Sequence, residues 1–198
     1  SGNPNILLLD KQTGKVEWQH ALEKGEECNA VALTRKGEIL YSYKRGAKLV
    51  TWDHQVVWDY KTPDKTELQS ATLLQNGGVL LGICGVPAQF IELDKKGKEV
   101  NKVTLNLEVE RPHSQFRQIF QLRNSNYLIP VMAKQKVLEV SRKGKIIAEH
   151  QIEGKAFSSL ELPDENLLLP CGDNHCYIVI DRKTGEELKR VNALDIEG

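Results

Sequence analysis

One short pattern returns five times along this chain and constrains its fold more than any other feature. The copies read ILLLDKQTGKVEW, LVTWDHQVVW, FIELDKKGKEV, VLEVSRKGKII and YIVIDRKTGEEL: an apolar strand, an Asp or Ser, a Lys/Gly turn and a second strand. Anchored on Asp10, Asp53, Asp94, Ser141 and Asp181, they stand 43, 41, 47 and 40 residues apart. That interval is the length of a four-stranded propeller blade, about 40–45 residues. Gly14, Gly97, Gly144 and Gly185 hold the turn position that needs a positive φ, whereas the second copy carries His54-Gln55 in a shorter turn.

A second hairpin recurs between the anchors: AVALTRKGEILYSY, ATLLQNGGVLLGIC, IFQLRNSNYLIPVM and SLELPDENLLLPCG. Asn76-Gly77 is its strongest turn signal. Each period therefore predicts four antiparallel strands, A to D. Strands A, B and C are apolar on both faces, as between neighbouring blades, and D is the most polar, as at the rim. Asn106 to Gln121 fails as a helix, because Pro112 lies inside it and no 3.6-residue stripe runs through it, so it reads as a long D-to-A loop. The expected architecture is an all-β propeller occupying 1–198 as one domain, with an opening C–D hairpin followed by four complete blades. That makes four and a half blades, and six to seven are expected in the native chain. The opening hairpin lacks A and B strands of its own, so the expectation is that the polypeptide continues past Gly198 and closes the ring against Ile6 to Trp18.

Twenty-seven basic residues balance 27 acidic ones, which removes the compositional support for a nucleic-acid partner. Apolar runs such as Ile6 to Leu9 and Leu167 to Leu169 fall far short of the about 20 residues of a spanning helix, so no membrane insertion is expected.

The unit from Leu7 to Trp18 resembles the repeat of pyrroloquinoline-quinone-type propellers, in which a D-strand tryptophan docks between blades. Similar units occur in the lipoprotein of the outer-membrane barrel assembly machinery and in arylsulfotransferase propellers. Trp18 and Trp58 keep the docking tryptophan and are expected to be buried; Lys102, Ala148 and Lys189 stand near that place in the other copies. The chain has no adjacent-cysteine pair and no acidic set for the calcium of a quinoprotein dehydrogenase. No cofactor is therefore expected, the quinone included. The resemblance implies an exported, periplasmic or cell-surface protein, with a cytoplasmic one left open.

In a propeller of this strand order the D-to-A and B-to-C connections emerge on one face around the channel, where ligands bind. Aligning the A strands on Leu33, Leu74, Leu122 and Leu162 places Asn29, Ser70, Gln118 and Ser158 in one column at the strand start. These uncharged groups suit a sugar or peptide ligand, or else pair the free backbone between blades. His113 lies in the longest D-to-A loop between Arg111 and Arg117, where an imidazole would act as base or nucleophile on an anion held by the guanidiniums. Of the four cysteines, Cys171 and Cys176 end a B-to-C hairpin. They are read as free thiols along with Cys28 and Cys84, as a Cys171–Cys176 disulfide, or as zinc ligands with His175. No metal site is expected. The leading functional expectation is a non-enzymatic scaffold presenting this face to a protein or carbohydrate ligand. The alternative is an exported enzyme of sulfotransferase or lyase type using His113.

Overall fold

The computed structural model describes residues 5–192. Among them the regular structure is β-strand apart from three 3₁₀ turns, Pro112–Ser114, Met132–Lys134 and Gly172–Asn174. The opening hairpin pairs β1 (Asn5–Leu9) with β2 (Val16–Ala21). Blade one holds β3 (Cys28–Leu33), β4 (Ile39–Tyr43), β5 (Gly46–Val50) and β6 (Val56–Lys61). Blade two holds β7 (Glu67–Leu73), β8 (Val79–Cys84), β9 (Ala88–Leu93) and β10 (Glu99–Leu105). Blade three holds β11 (Phe120–Gln121), β12 (Tyr127–Val131), β13 (Lys136–Val140) and β14 (Ile146–Gln151). Blade four holds β15 (Leu160–Glu161), β16 (Leu167–Cys171), β17 (Cys176–Ile180) and β18 (Glu187–Asn192). Each blade is one sheet in sequence order, and every described pairing is antiparallel.

Period-two alternation decides how the sheets stack. Along β8, Val79, Leu81 and Ile83 join the cluster shared with blade one, while Leu80 and Cys84 join the one shared with blade three. With both faces covered, the whole strand is buried. Every core cluster lies between consecutive units. Trp18 packs with Tyr41, Trp58 with Leu81, Phe90 with Phe116 and Leu128 with Leu169. A core divided into inter-sheet layers is the mark of a propeller. β18 is polar and exposed, as expected of strand D. On β1, Ile6 and Leu8 pack against blade one and Leu7 and Leu9 face outward.

Register corrects the second anchor. Thr51, not Asp53, aligns with Asp94, because Thr51 N bonds to Gln55 O as Asp94 N bonds to Lys98 O. The Thr51 hydroxyl accepts the Gln55 amide at 3.0 Å, the task that the Asp94 carboxylate performs for Lys98 at 2.9 Å. Asp53 accepts a hydrogen bond from that hydroxyl. The turn is thus no shorter than in blade two, and His54 takes the glycine position at φ +68°.

Trp18 and Trp58 are both buried, as expected. They oppose Leu8 and Leu49 in register, and the same place is held by Asn101 opposite Glu92, Ala148 opposite Glu139 and Lys189 opposite Val179. A bulge between Glu99 and Asn101 puts Asn101 there instead of Lys102. The docking group reaches the next blade's turn: Trp18 Nε1 donates to Trp52 O at 2.7 Å and Asn101 Nδ2 to Arg142 O at 3.0 Å. Gly97 is required beneath Trp58, since its φ is +79° and a Cβ would stand 2.6 Å from Trp58 Cγ.

Where the C strand carries glutamate, the next turn carries arginine. Arg142 forks onto Glu92, which also accepts the Tyr127 hydroxyl at 2.7 Å. Arg182 forks onto Glu139 at 2.8 and 2.9 Å and also reaches Glu161 at 2.9 Å. Burial alone would raise the Glu139 pKa, but hydrogen bonds from Arg182, Asn126 and Asn124 outweigh it and hold the carboxyl at about 2.

Removing one partner of such a buried pair leaves an uncompensated charge and costs about 3–5 kcal/mol. Arg182→Ala is therefore expected to lower the urea midpoint strongly at neutral pH. Because the folded Glu139 pKa lies below the ordinary 4.5, its contribution is full above that value and is lost as pH falls toward about 2. Unfolding curves across that window should lose part of their pH dependence in the variant; a variant as stable and as acid-sensitive as the wild type would refute the clamp.

Candidate functional site

The long loop after β10 is held down by its own side chains. Phe116 and Ile119 are fully buried, and Gln115 is nearly so. The Gln115 amide grips Gly85 of the blade-two B-to-C turn, accepting from its N–H at 2.9 Å and donating to its carbonyl at 2.7 Å. It donates again to Val109 O at 2.9 Å, and its own carbonyl accepts from Met132 N at 2.9 Å. One residue thus ties the loop to the B-to-C turns of two blades.

On this platform His113 sits in the 3₁₀ turn with Nδ1 3.1 Å from Glu67 Oε2. Glu67 opens β7. Its carboxylate also meets Lys44 Nζ at 3.1 Å and accepts Gln69 Nε2 at 3.2 Å. The carboxylate is 19% exposed and the imidazole 70%. Burial would raise the Glu67 pKa, yet the contacts from His113, Lys44 and Gln69 carry it below the ordinary glutamate value. The group is therefore an anionic acceptor that fixes one edge of the imidazole and leaves the rest facing solvent.

Of the two arginines expected around His113, one is engaged by the loop itself. Arg117 donates to the carbonyls of His113 at 2.6 Å and Phe116 at 3.1 Å, which braces the loop backbone. Arg111 precedes the turn and is exposed, its carbonyl accepting from Ser114 N. The charged partner of His113 is a carboxylate 46 positions earlier.

In the strand-start column two side chains stitch one blade to the next. Asn29 Nδ2 donates to Leu68 O at 2.7 Å. Ser70 is fully buried, and its hydroxyl accepts from Ile119 N at 3.0 Å, so it is unavailable to a ligand. Gln118 N donates to Phe157 O at 3.1 Å, and Ser158 is half-buried beside it. A free backbone group at a blade edge must be paired, and the Asn29 and Ser70 side chains do that. The informative column lies three positions earlier, at Glu26, Glu67, Gln115 and Lys155. Each makes a polar contact within or beside its blade: Glu26 meets Lys48 of β5 at 2.7 Å, and Lys155 meets Asp173 in the blade-four B-to-C turn at 2.7 Å. The same alignment exposes that column in the sequence.

Cys171 and Cys176 are register partners and stand as free thiols, as do Cys28 and Cys84. Among the described residues no three potential metal-ligating side chains cluster, so His175 does not complete a zinc set with them. Burial pushes the thiol pKa of Cys84 up to about 12 and that of Cys171 up to about 11.

Two outcomes test this description. Gln115→Ala leaves the Gly85 amide and carbonyl without partners and is expected to cost about 1–3 kcal/mol, with faster proteolysis in the 106–119 loop. Thiol titration should find one rapidly reacting group, Cys28, in the native protein and four after denaturation; two after denaturation would show the Cys171–Cys176 disulfide instead.

A family model described as Mal s 1 allergenic protein-like matches residues 3–198. No curated protein matches the chain. Among solved structures it is similar to a protein of unknown function from Bacteroides caccae, at 39% identity and a TM-score of 0.93, over 100% of this chain and 72% of that one. It is also similar to a catalytically inactive histidine-to-alanine variant of virginiamycin B lyase from Staphylococcus aureus with quinupristin. There the identity is 14% and the TM-score 0.72, over 92% of this chain and 61% of that one. The WD40 β-propeller domain of Doa1 gives 9% identity and a TM-score of 0.70, over 91% and 58%. At such identities these last two likenesses establish the propeller fold alone.

Proposed function

From the premise that the chain belongs to the Mal s 1 allergenic protein-like family, we propose that it is a binding propeller. It presents its D-to-A loop face, centred on Glu67 and His113, to a protein or carbohydrate ligand. The observation that carries this reading is the convergence of His113, Lys44 and Gln69 on one shielded carboxylate. Mixed donors and acceptors on a loop locked by Gln115 form a pre-organised polar surface, which lowers the ordering cost of binding. A largely exposed imidazole fits recognition better than proton transfer, which gains from a water-excluded site.

A second reading has one observation in its favour. A carboxylate 3.1 Å from an imidazole nitrogen orients that ring as a general base, as in lyase-type chemistry. The two readings separate in one set of assays. Glycan arrays and a display library of random peptides are expected to yield ligands whose affinity falls about tenfold or more in Glu67→Gln and His113→Ala. Ligands that bind both variants like the wild type, or no ligand at all, would overturn the binding site. Turnover of quinupristin by the wild type but not by His113→Ala would establish the enzyme reading in its place.

A further inference from the structure

The face opposite His113, built from the A-to-B and C-to-D turns, has hollows at corresponding blade interfaces with opposite chemistry. Between blades three and four the lining is charged, with Glu139, Asp164, Glu165 and Asp181 around Arg182. Between blades one and two the hollow measures about 490 Å³, within the ~300–1,000 Å³ of small-molecule sites. Its walls include Leu49, Trp58, Leu74 and Val79. Register explains the difference. Leu49 occupies the place of Glu92 and Glu139, and Lys95 the place of Arg142 and Arg182, so no clamp fills the gap.

The rim supplies free positive charge. Arg35, Lys36 and Lys95 line the hollow and make no side-chain ion pair among the described residues. The carboxylates beside them are engaged: Asp94 accepts the amides of Lys96 and Lys98 at 2.8 and 2.9 Å, and Glu38 accepts the Thr34 hydroxyl at 3.2 Å. Trp58 adds an independent sign. Its indole N–H is buried without an acceptor, whereas the docking groups at the neighbouring interfaces, Trp18 and Asn101, both have one. A buried donor without a partner is unfavourable, so this interface is left less satisfied by the fold itself than its neighbours are.

We propose that this hollow binds a planar apolar carboxylate, an aryl acid, with its ring against the Leu49, Leu74 and Trp58 wall and its anion among the rim cations. A slot between facing sheets with an indole in its wall suits a flat body, and a guanidinium matches a carboxylate's geometry.

Calorimetric titration with 1-naphthoate, and with uncharged 1-naphthamide, tests this. The acid is expected to bind and the amide to bind about tenfold more weakly or worse. Arg35→Gln and Lys95→Gln should each weaken naphthoate, and Leu49→Glu, which restores the clamp carboxylate, should abolish binding. Lys183→Gln, in the hollow between blades three and four, should change nothing. Arg35 and Lys95 are exposed, so their variants carry the test if Leu49→Glu loses its native circular dichroism. No binding of naphthoate at millimolar concentration, equal binding of acid and amide, or binding indifferent to the rim variants would overturn the proposal.

Discussion

Consecutive sheets are held face to face by what fills one repeated position, the C-strand residue two places before each turn anchor. Leu8 and Leu49 stand there opposite tryptophan; Glu92 and Glu139 stand there opposite a smaller residue, with an arginine from the next turn closing over them. Truncating one member of either arrangement is costly. A tryptophan removes about 150–250 Å² from water, which at ~25 cal/mol per Å² is about 4–6 kcal/mol. Breaking a buried carboxylate–guanidinium pair costs about 3–5 kcal/mol. A repeat that exchanges one for the other must therefore change both members together.

The two faces of the stack differ because different backbone emerges on them. One consists of short turns whose amides are capped by Asp94, Asp181 and the Thr51 hydroxyl, leaving side chains to line the gaps between blades. The other carries the connections between blades, where unpaired backbone needs partners. Ser70, Asn29 and Gln115 supply them, and that requirement places polar residues around the channel whether or not a ligand binds there. The groups left facing outward after the backbone is satisfied are the ones free to meet a ligand, His113 among them.

Much of the fold was legible in the chain alone. The interval between copies, the glycines at positive φ, the buried tryptophans and the long loop around Pro112, which holds one 3₁₀ turn and no α-helix, all follow from local rules, and the structure agrees with each. The errors arose where two local rules competed. Asp53 looked like the anchor because the other copies use Asp, Asp, Ser and Asp, yet a threonine hydroxyl serves equally well and shifts the alignment by two residues. Lys102 looked like the docking position because a bulge cannot be counted from spacing.

The candidate site was less legible. His113 stood out as a histidine in a long loop, but no carboxylate to orient it could be picked out of the chain, and Arg117, expected to hold an anion, donates to the loop backbone. By itself, the sequence determined the repeat, the strand order within each blade and the face on which the loops gather, because these depend on period-two patterning and turn residues that act over a few positions. Only the tertiary structure decided that Glu67 meets His113 across 46 positions and that Glu92 meets Arg142 across 50. Those meetings depend on how one sheet is rotated and shifted against the next, and that is set by the shapes of the side chains between the sheets, which no local pattern records.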